Sequence, residues 1–192
     1  MRIVSGEWRG RKIAEPAGRE VTRPTTDRVR EAMGSMVDSA LDHGIEGVSV
    51  LDAFAGSGAL GIEMLSRGAS HATFFDIDRS AAALVRKNLE SVRCGSQRYM
   101  VTCGDVLASV KRGRIVGAPF DLVMIDAPYA LGAAPAEELL AALAAANLLA
   151  PRALALVEHA ASDAGARPAD FTVEREKRYG NTAVDLLRFE PA

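Results

Sequence analysis

Cysteine is scarce in this chain: Cys94 and Cys103 are the only two in 192 residues, with no CxxC pair and no paired histidines near them. That argues against a disulfide framework and against a zinc site of the usual Cys/His spacing, so both are expected to be ordinary reduced thiols and no metal is expected. His43, His71 and His159 fall at loop or strand-end positions with no partner in view, and bland structural roles are expected for them. No apolar run approaches the roughly 18 residues of a membrane span. The opening MRIVSGEWRGRK has no hydrophobic region of the kind a signal peptide needs. The expectation is a cytoplasmic protein with no membrane partner.

A strong charge of one sign is also missing, since the net charge is −2. The distribution is uneven, however. Residues 1–30 carry a net +4 and the remainder −6. A basic end on an acidic body is the electrostatic footprint of a polyanionic partner met at the N-terminus, although a solvated basic face would look the same.

What the chain does contain is an ordinary globular composition, 48% hydrophobic and 25% charged, at a length suited to one domain with a small extension. Segment 1–13 reads as a hairpin around Trp8 with its turn near Gly6 or Gly10. Beyond Pro16 and Pro24, Val29, Met33, Met36, Val37 and Leu41 recur at helical spacing, with Thr25 or Thr26 as N-cap and Gly44 and Gly47 as the stop.

From there strands alternate with helices. VSVLDAF (48–54), HATFFDID (71–78), YMVTCGD (99–105), FDLVMIDAPY (120–129) and RALALVEHA (152–160) read as strands buried on both faces. Helices are expected over GIEMLSRG, RSAAALVRKNLESV and the Ala/Leu-rich 133–146. FTVEREKRYG and TAVDLLRFE close the chain as a β-pair turning near Gly180 and Asn181. The expected fold is α/β, a Rossmann-like, seven-stranded, mostly parallel sheet with an antiparallel C-terminal strand. A hairpin extension over 1–24 would precede the main domain over 25–192.

Asp52, Asp76, Asp105 and Asp126 stand at the carboxyl ends of successive expected strands. Open α/β sheets bind ligands along that edge. DAFAGSGALGIE (52–63) holds Gly56-x-Gly58-x-x-Gly61, with Asp76 placed 20 residues after Gly56. This is the dinucleotide spacing, in which glycines let backbone approach a ligand and the acid holds a ribose. Asp78 lies close to Asp76, but the strand-end position favours Asp76 as the hydroxyl acceptor. Gly61 is better explained by helix packing than by a pyrophosphate contact.

DAPY (126–129) discriminates further. Asp126 and the Ala127 carbonyl can each accept a hydrogen bond from an exocyclic amine, Pro128 stiffens the loop, and Tyr129 offers a face for a base taken out of its helix. A nicotinamide-dependent dehydrogenase leaves this tetrapeptide unexplained and would need a substrate domain for which no chain is left. A non-catalytic RNA-binding module would explain the basic N-terminus but not four strand-end acids.

VLDAFAGSGALGIEMLSRGA resembles the S-adenosylmethionine loop of class I methyltransferases, and DAPY resembles their (D/N)PP(Y/F) motif for exocyclic amines. DNA adenine and protein glutamine methyltransferases share that motif type. MRIVSGEWRGRKI, TRPTTDRVREAM, FFDIDRSA, FDLVMIDAPY and YGNTAVDLLRF together resemble the bacterial 16S ribosomal RNA guanine-N2 methyltransferases acting on guanine 966. The likeness spans nearly the whole chain, with one departure: Ala127 stands where the family usually has a first proline.

The resemblance implies S-adenosylmethionine as cofactor, with Asp52, Phe54, Ala55, Gly56 and Gly58 around its methionine part and Thr25 near its carboxylate. Asp76 would hold the ribose, Ile77 would lie beside the adenine, Asp105 would accept from the adenine amine and Val106 would donate its N–H. Asp126, Ala127, Pro128 and Tyr129 would form the catalytic loop. Arg9, Arg11, Lys12, Arg23 and Arg28 are candidate phosphate contacts, and Trp8 suits equally a stacking residue for RNA and an anchor pinning the hairpin to the core. The expected partner is 16S ribosomal RNA, within an assembled or assembling small subunit, and the expected state is a monomer.

Overall fold

A computed structural model describes residues 1–16 and 26–191. Seven strands form one sheet: β1 (Ser49–Asp52), β2 (His71–Asp76), β3 (Tyr99–Cys103), β4 (Phe120–Ile125), β5 (Leu149–Ala160), β6 (Phe171–Tyr179) and β7 (Thr182–Phe189). Their spatial order is β3-β2-β1-β4-β5-β7-β6. The first five run parallel, and β7 inserts antiparallel between β5 and β6. Helices α1 (Asp27–Ala40), α2 (Ala59–Ser66), α3 (Arg79–Ser91), α4 (Val106–Lys111) and α5 (Ala134–Ala145) cover its faces. The expected fold class is therefore found, and the short α4 is an element the sequence pattern did not reveal.

The central strands are apolar throughout because both faces are covered. Along β2 and β4, Phe74, Leu122 and Met124 enter one core layer while Phe75, Val123 and Ile125 enter the other. β6 is the opposite case: it has no strand on its outer side, and Glu174, Arg175, Glu176, Lys177 and Arg178 are all exposed. A charged edge of this kind opposes pairing with other chains.

The reverse turn switching the chain from sheet to α2 depends on glycine. Gly58 caps α2 in the left-handed region at φ 78°. A Cβ on Gly61 would lie 2.3 Å from the Phe74 ring and 3.0 Å from Asp52 Oδ2, so the third glycine serves helix-to-strand packing as expected.

The N-terminal segment folds back on itself through an Arg2–Lys12 bridge, with Ile3 N–H donating to the Arg11 carbonyl at 3.0 Å. It docks on α2. Buried Glu63 accepts from the Val4 and Ser5 amides at 2.8 and 2.9 Å, and Ser66 Oγ accepts from Trp8 N–H at 2.9 Å. Ile3, Trp8 and Ile13 join the core beneath the sheet.

Trp8 decides between the two roles the sequence left open. It is 2% exposed, with the Arg98 guanidinium 5.4 Å from its ring centroid, so it pins the hairpin to the body and offers no stacking face to RNA. Thr26 serves as the N-cap of α1, accepting from Val29 N–H at 3.4 Å. Thr25 and Arg23 lie outside the described residues.

Candidate active site

The carboxyl ends of β1, β2 and β4 supply three of the four acids, and Asp105 follows β3. Parallel register sets their relative heights. Asp52 pairs with Phe74 on one side and Met124 on the other, while Asp76 pairs with Cys103. The acids are thus brought to one edge of the sheet, where loops rather than strands surround them.

Asp52 is buried, and its Oδ2 accepts from the Gly61 amide at 3.0 Å. Burial pushes its carboxyl up to about 7, against the Gly61 N–H bond, and the nearby Asp76 charge adds to the rise. Asp76 ties the site together: Oδ2 accepts from Gly56 N–H at 2.8 Å and Oδ1 from Asp78 N–H at 2.9 Å. Asp78 itself caps α3 by accepting from Ser80 N–H at 2.7 Å, which leaves Asp76 as the strand-end acid facing the loop.

Ala55 is buried and donates to the Phe75 carbonyl at 2.8 Å, while Phe54 is half-buried against the second core layer. Ile77, next to Asp76, is 77% exposed. A large apolar side chain standing in water beside that acid is a face on which an aromatic ring can rest. Asp105 caps α4, accepting from Ala108 N–H at 3.0 Å, and Val106 opens that helix. Amides of a first helical turn have no carbonyl one turn back to pair with.

These residues fit an adenosyl cofactor. A Cβ at Gly56 would meet nothing within 4 Å, so the loop bounds open space on its ligand side, with φ 55° held by glycine. The acids, the glycine cradle and exposed Ile77 together supply what ribose, ammonium and adenine groups need.

The acceptor half follows β4. Asp126 is half-buried and Ala127 buried, while Pro128 and Tyr129 are exposed. Tyr129–Leu131 make one 3-10 turn, closed by Leu131 N–H on the Pro128 carbonyl at 2.9 Å. The Asp126 carboxyl is raised above its usual range, by burial first and then by the charges of Glu158 and Asp52. Tyr129 is 38% exposed, but its hydroxyl is engaged, at 2.8 Å from Glu158 Oε1 and 3.0 Å from Thr182 Oγ1. The expected stacking ring is therefore also a tethered one.

Among the basic candidates, Arg9, Arg11, Lys12 and Arg28 are exposed. Arg11 spends one donor on the Val92 carbonyl at 2.9 Å.

Two residues with evident roles were missed from sequence. Asn88 is 1% exposed: its amide donates to the Ser57 carbonyl at 2.8 Å and the Ala14 carbonyl at 3.0 Å, and its oxygen accepts from Ala14 N–H at 2.8 Å. It joins the cofactor loop to the N-terminal hairpin. Glu158, buried on β5, is the second. Both carried a signal, being polar residues in phase with buried neighbours: Asn88 with Val85 and Leu89 on a helix, Glu158 with Leu154 and Leu156 on a strand.

Known proteins similar to this chain identify its family. Residues 1–188 match the family described as Conserved hypothetical protein 95. Ribosomal RNA small subunit methyltransferase D of Escherichia coli is 36% identical over 191 residues, covering 99% of this chain and 90% of that protein. Its Haemophilus influenzae counterpart is 35% identical over 98% of this chain and 93% of its own. The solved structure of yhhF from Escherichia coli superposes with a TM-score of 0.84 at 34% identity, covering 100% of this chain and 99% of its own. The rRNA methyltransferase aviRa from Streptomyces viridochromogenes, at 17% identity and a TM-score of 0.67 over 84% of each chain, shares the fold. The chain belongs to the ribosomal RNA small subunit methyltransferase D family, S-adenosylmethionine-dependent enzymes of the class I fold.

Proposed function

We propose that this protein transfers a methyl group from S-adenosylmethionine to the exocyclic N2 amine of a guanine in 16S ribosomal RNA, corresponding to guanine 966. The observation that carries this reading is the placement of Asp126. It leaves β4 beside the strand that ends in Asp52 and the glycine loop, so an amine bound at DAPY lies next to the cofactor cradle.

The cofactor would be held by Asp52, Phe54, Ala55, Gly56 and Gly58 at its methionine end, and by Asp76, Ile77, Asp105 and Val106 at its adenosine end. When bound it supplies a sulfonium methyl that is already electrophilic. What remains for the protein is alignment. A guanine amine is a weak nucleophile because its lone pair is delocalised into the ring. Asp126 and the Ala127 carbonyl would each accept one of its N–H groups, favouring a pyramidal nitrogen whose lone pair points out of the base plane. The same acceptors stabilise positive charge developing on nitrogen. Ala127, in place of a proline, keeps that carbonyl. Tyr129 would flank the base, held at a fixed tilt by its tethered hydroxyl.

Exposed Arg9, Arg11, Lys12 and Arg28 are suited to phosphates around the target nucleotide. With a net charge of only −2 over the whole chain, the substrate is taken to be an assembled or assembling subunit in the cytoplasm, whose shape supplies recognition beyond charge. No helix among the described residues is long and apolar enough to cross a membrane.

The test is transfer of labelled methyl to free 16S RNA and to small subunits lacking the modification, with calorimetry of S-adenosylhomocysteine and NAD alongside. Expected are binding of S-adenosylhomocysteine only and faster transfer to subunits. NAD binding with no transfer to either substrate would overturn the reading.

A further inference from the structure

The cations of the N-terminal hairpin stand away from the reacting edge of the sheet. Its turn rests on the C-terminal end of α2, where Glu7 N–H donates to the Ser66 carbonyl at 2.7 Å, whereas Gly58 of the glycine loop caps the N-terminal end. Eight helical residues, about 12 Å, separate the two. Arg11 is held at the carbonyl of Val92, the C-cap of α3. That places it roughly 20 Å along the helix from the Asp78 cap beside the ribose-site acid.

The turn between β6 and β7 is close to the acceptor loop instead. Thr182, which opens β7, has its Oγ1 3.0 Å from the Tyr129 hydroxyl. The Asn181 carbonyl accepts from Ala161 N–H at 2.9 Å, just past the end of β5. The last residues of β6 therefore flank the DAPY loop. Lys177 and Arg178 are exposed there, and Asn181 is exposed at the turn itself. Lys177 pairs with Val184 and Arg178 with Ala183, so their side chains leave opposite faces of the strand and stand on both sides of its open edge.

The charge here has a sign. Residues 175–181 carry a net +2. The acids of β6 are paired, Glu174 with Arg188 at 2.6 Å and Glu176 with Arg167 at 2.5 Å. On the neighbouring loop Asp163 is half-buried and accepts the Ser162 hydroxyl at 3.1 Å. Protection of an edge strand asks only for charge, of either sign. It does not ask that the acids be neutralised while the cations nearest the acceptor loop stay in water.

We propose, building on the methyl-transfer reading above, that the β6–β7 turn is a second RNA contact, in which Lys177 and Arg178 hold backbone phosphates next to the target guanine and Asn181 hydrogen-bonds the same backbone. A base presented to Asp126 is turned out of its stack, which brings its own sugar-phosphate to the rim of the acceptor loop. Cations at that rim set the register of the RNA, and the hairpin cations add attraction farther along it. Such contacts are made equally before and during transfer, so they act on KM and leave kcat alone.

The test is steady-state methyl transfer to small subunits lacking the modification, at several salt concentrations. It compares wild type, the double variant Lys177→Ala with Arg178→Ala, and Lys111→Ala. Lys111, exposed in the last turn of α4, controls for loss of a cation elsewhere. In the double variant KM for subunits should rise about tenfold, with kcat and S-adenosylhomocysteine affinity within twofold of wild type. The log–log slope of kcat/KM against salt should become shallower by about 1.4, the share of two single-strand phosphates. An unchanged KM, an unchanged salt slope, or an equal rise in KM for Lys111→Ala would overturn the proposal. So would crosslinks that reach ribosomal protein and no RNA from a photoreactive phenylalanine derivative replacing Asn181. In each of these cases wild type still methylates subunits. Wild type inactive on subunits would overturn the methyl-transfer reading itself and take the proposal with it.

Discussion

The Gly56 amide donates to Asp76 Oδ2 at 2.8 Å, so the acid that ends β2 also fixes the glycine loop after β1. One carboxylate thus shapes two sides of the cofactor cradle. If Asp76 holds the ribose as proposed, Asp76→Ala is expected to weaken S-adenosylhomocysteine binding by 100-fold or more, about 3 kcal/mol, since it would remove those acceptors and release the loop together. Asp76→Asn retains an oxygen for Gly56 and should lose less. Calorimetry on both variants checks the order.

Asp126→Ala should separate binding from chemistry. The residue belongs to the acceptor loop, so cofactor affinity is expected to stay within a few-fold while turnover falls about 1,000-fold. A single-turnover assay at saturating cofactor reads the second number. Near-normal turnover would remove Asp126 from the mechanism.

Asp52 makes stability depend on pH in an unusual direction for a carboxylate. Its carboxyl is raised from 3.8 to about 7 by burial, so between those values the folded chain holds a proton that the unfolded chain has released. From this group, stability is fully present below about pH 4, falls as pH rises from there through 7, and is lost above it. Asp52→Asn can still accept from the Gly61 amide and should remove that decline, gaining on the order of 4 kcal/mol at pH 8 relative to its difference at pH 4. Urea titrations of the cofactor-free protein at the two pH values measure it.

Gly6 and Gly10 make a controlled pair in the hairpin. Both have positive φ, 81° and 83°, but a Cβ at Gly6 would stand 1.8 Å from the Ser66 carbonyl oxygen, while one at Gly10 meets nothing within 4 Å. Gly10→Ala should cost about 1 kcal/mol of backbone strain. Gly6→Ala should cost about 3 kcal/mol or more, because the hairpin must lift off α2. Denaturation midpoints of the two variants test this.

Much of the architecture could be read from sequence because the central strands are apolar on both faces and β1 to β4 each end in, or are followed within two residues by, an acid. Length and alternation were enough to find them. α4 escaped because six residues, Val106–Lys111, span under two turns and give no periodicity. Placing β7 inside the sheet required long-range pairing, although its buried run from Ala183 to Arg188 distinguishes it from exposed β6. That the acids and glycines gather at one edge of the sheet could be read from their spacing. The roles of Asn88 and Glu158 could not, because a polar residue at a core phase says only that a partner exists, while the partner itself is supplied by the fold. Trp8 was open between two roles in sequence, since a tryptophan beside arginines suits a hairpin anchor and a stacking platform equally. Its burial decided between them.

The most direct measurement is nucleoside mapping. Small subunits lacking the modification are incubated with the protein and methyl-labelled S-adenosylmethionine, and the digested 16S RNA is analysed by mass spectrometry. The expected result is label in N2-methylguanosine at a single position, lost with Asp126→Ala. Label on adenine, on protein, or at no position would contradict guanine N2 methylation by this site.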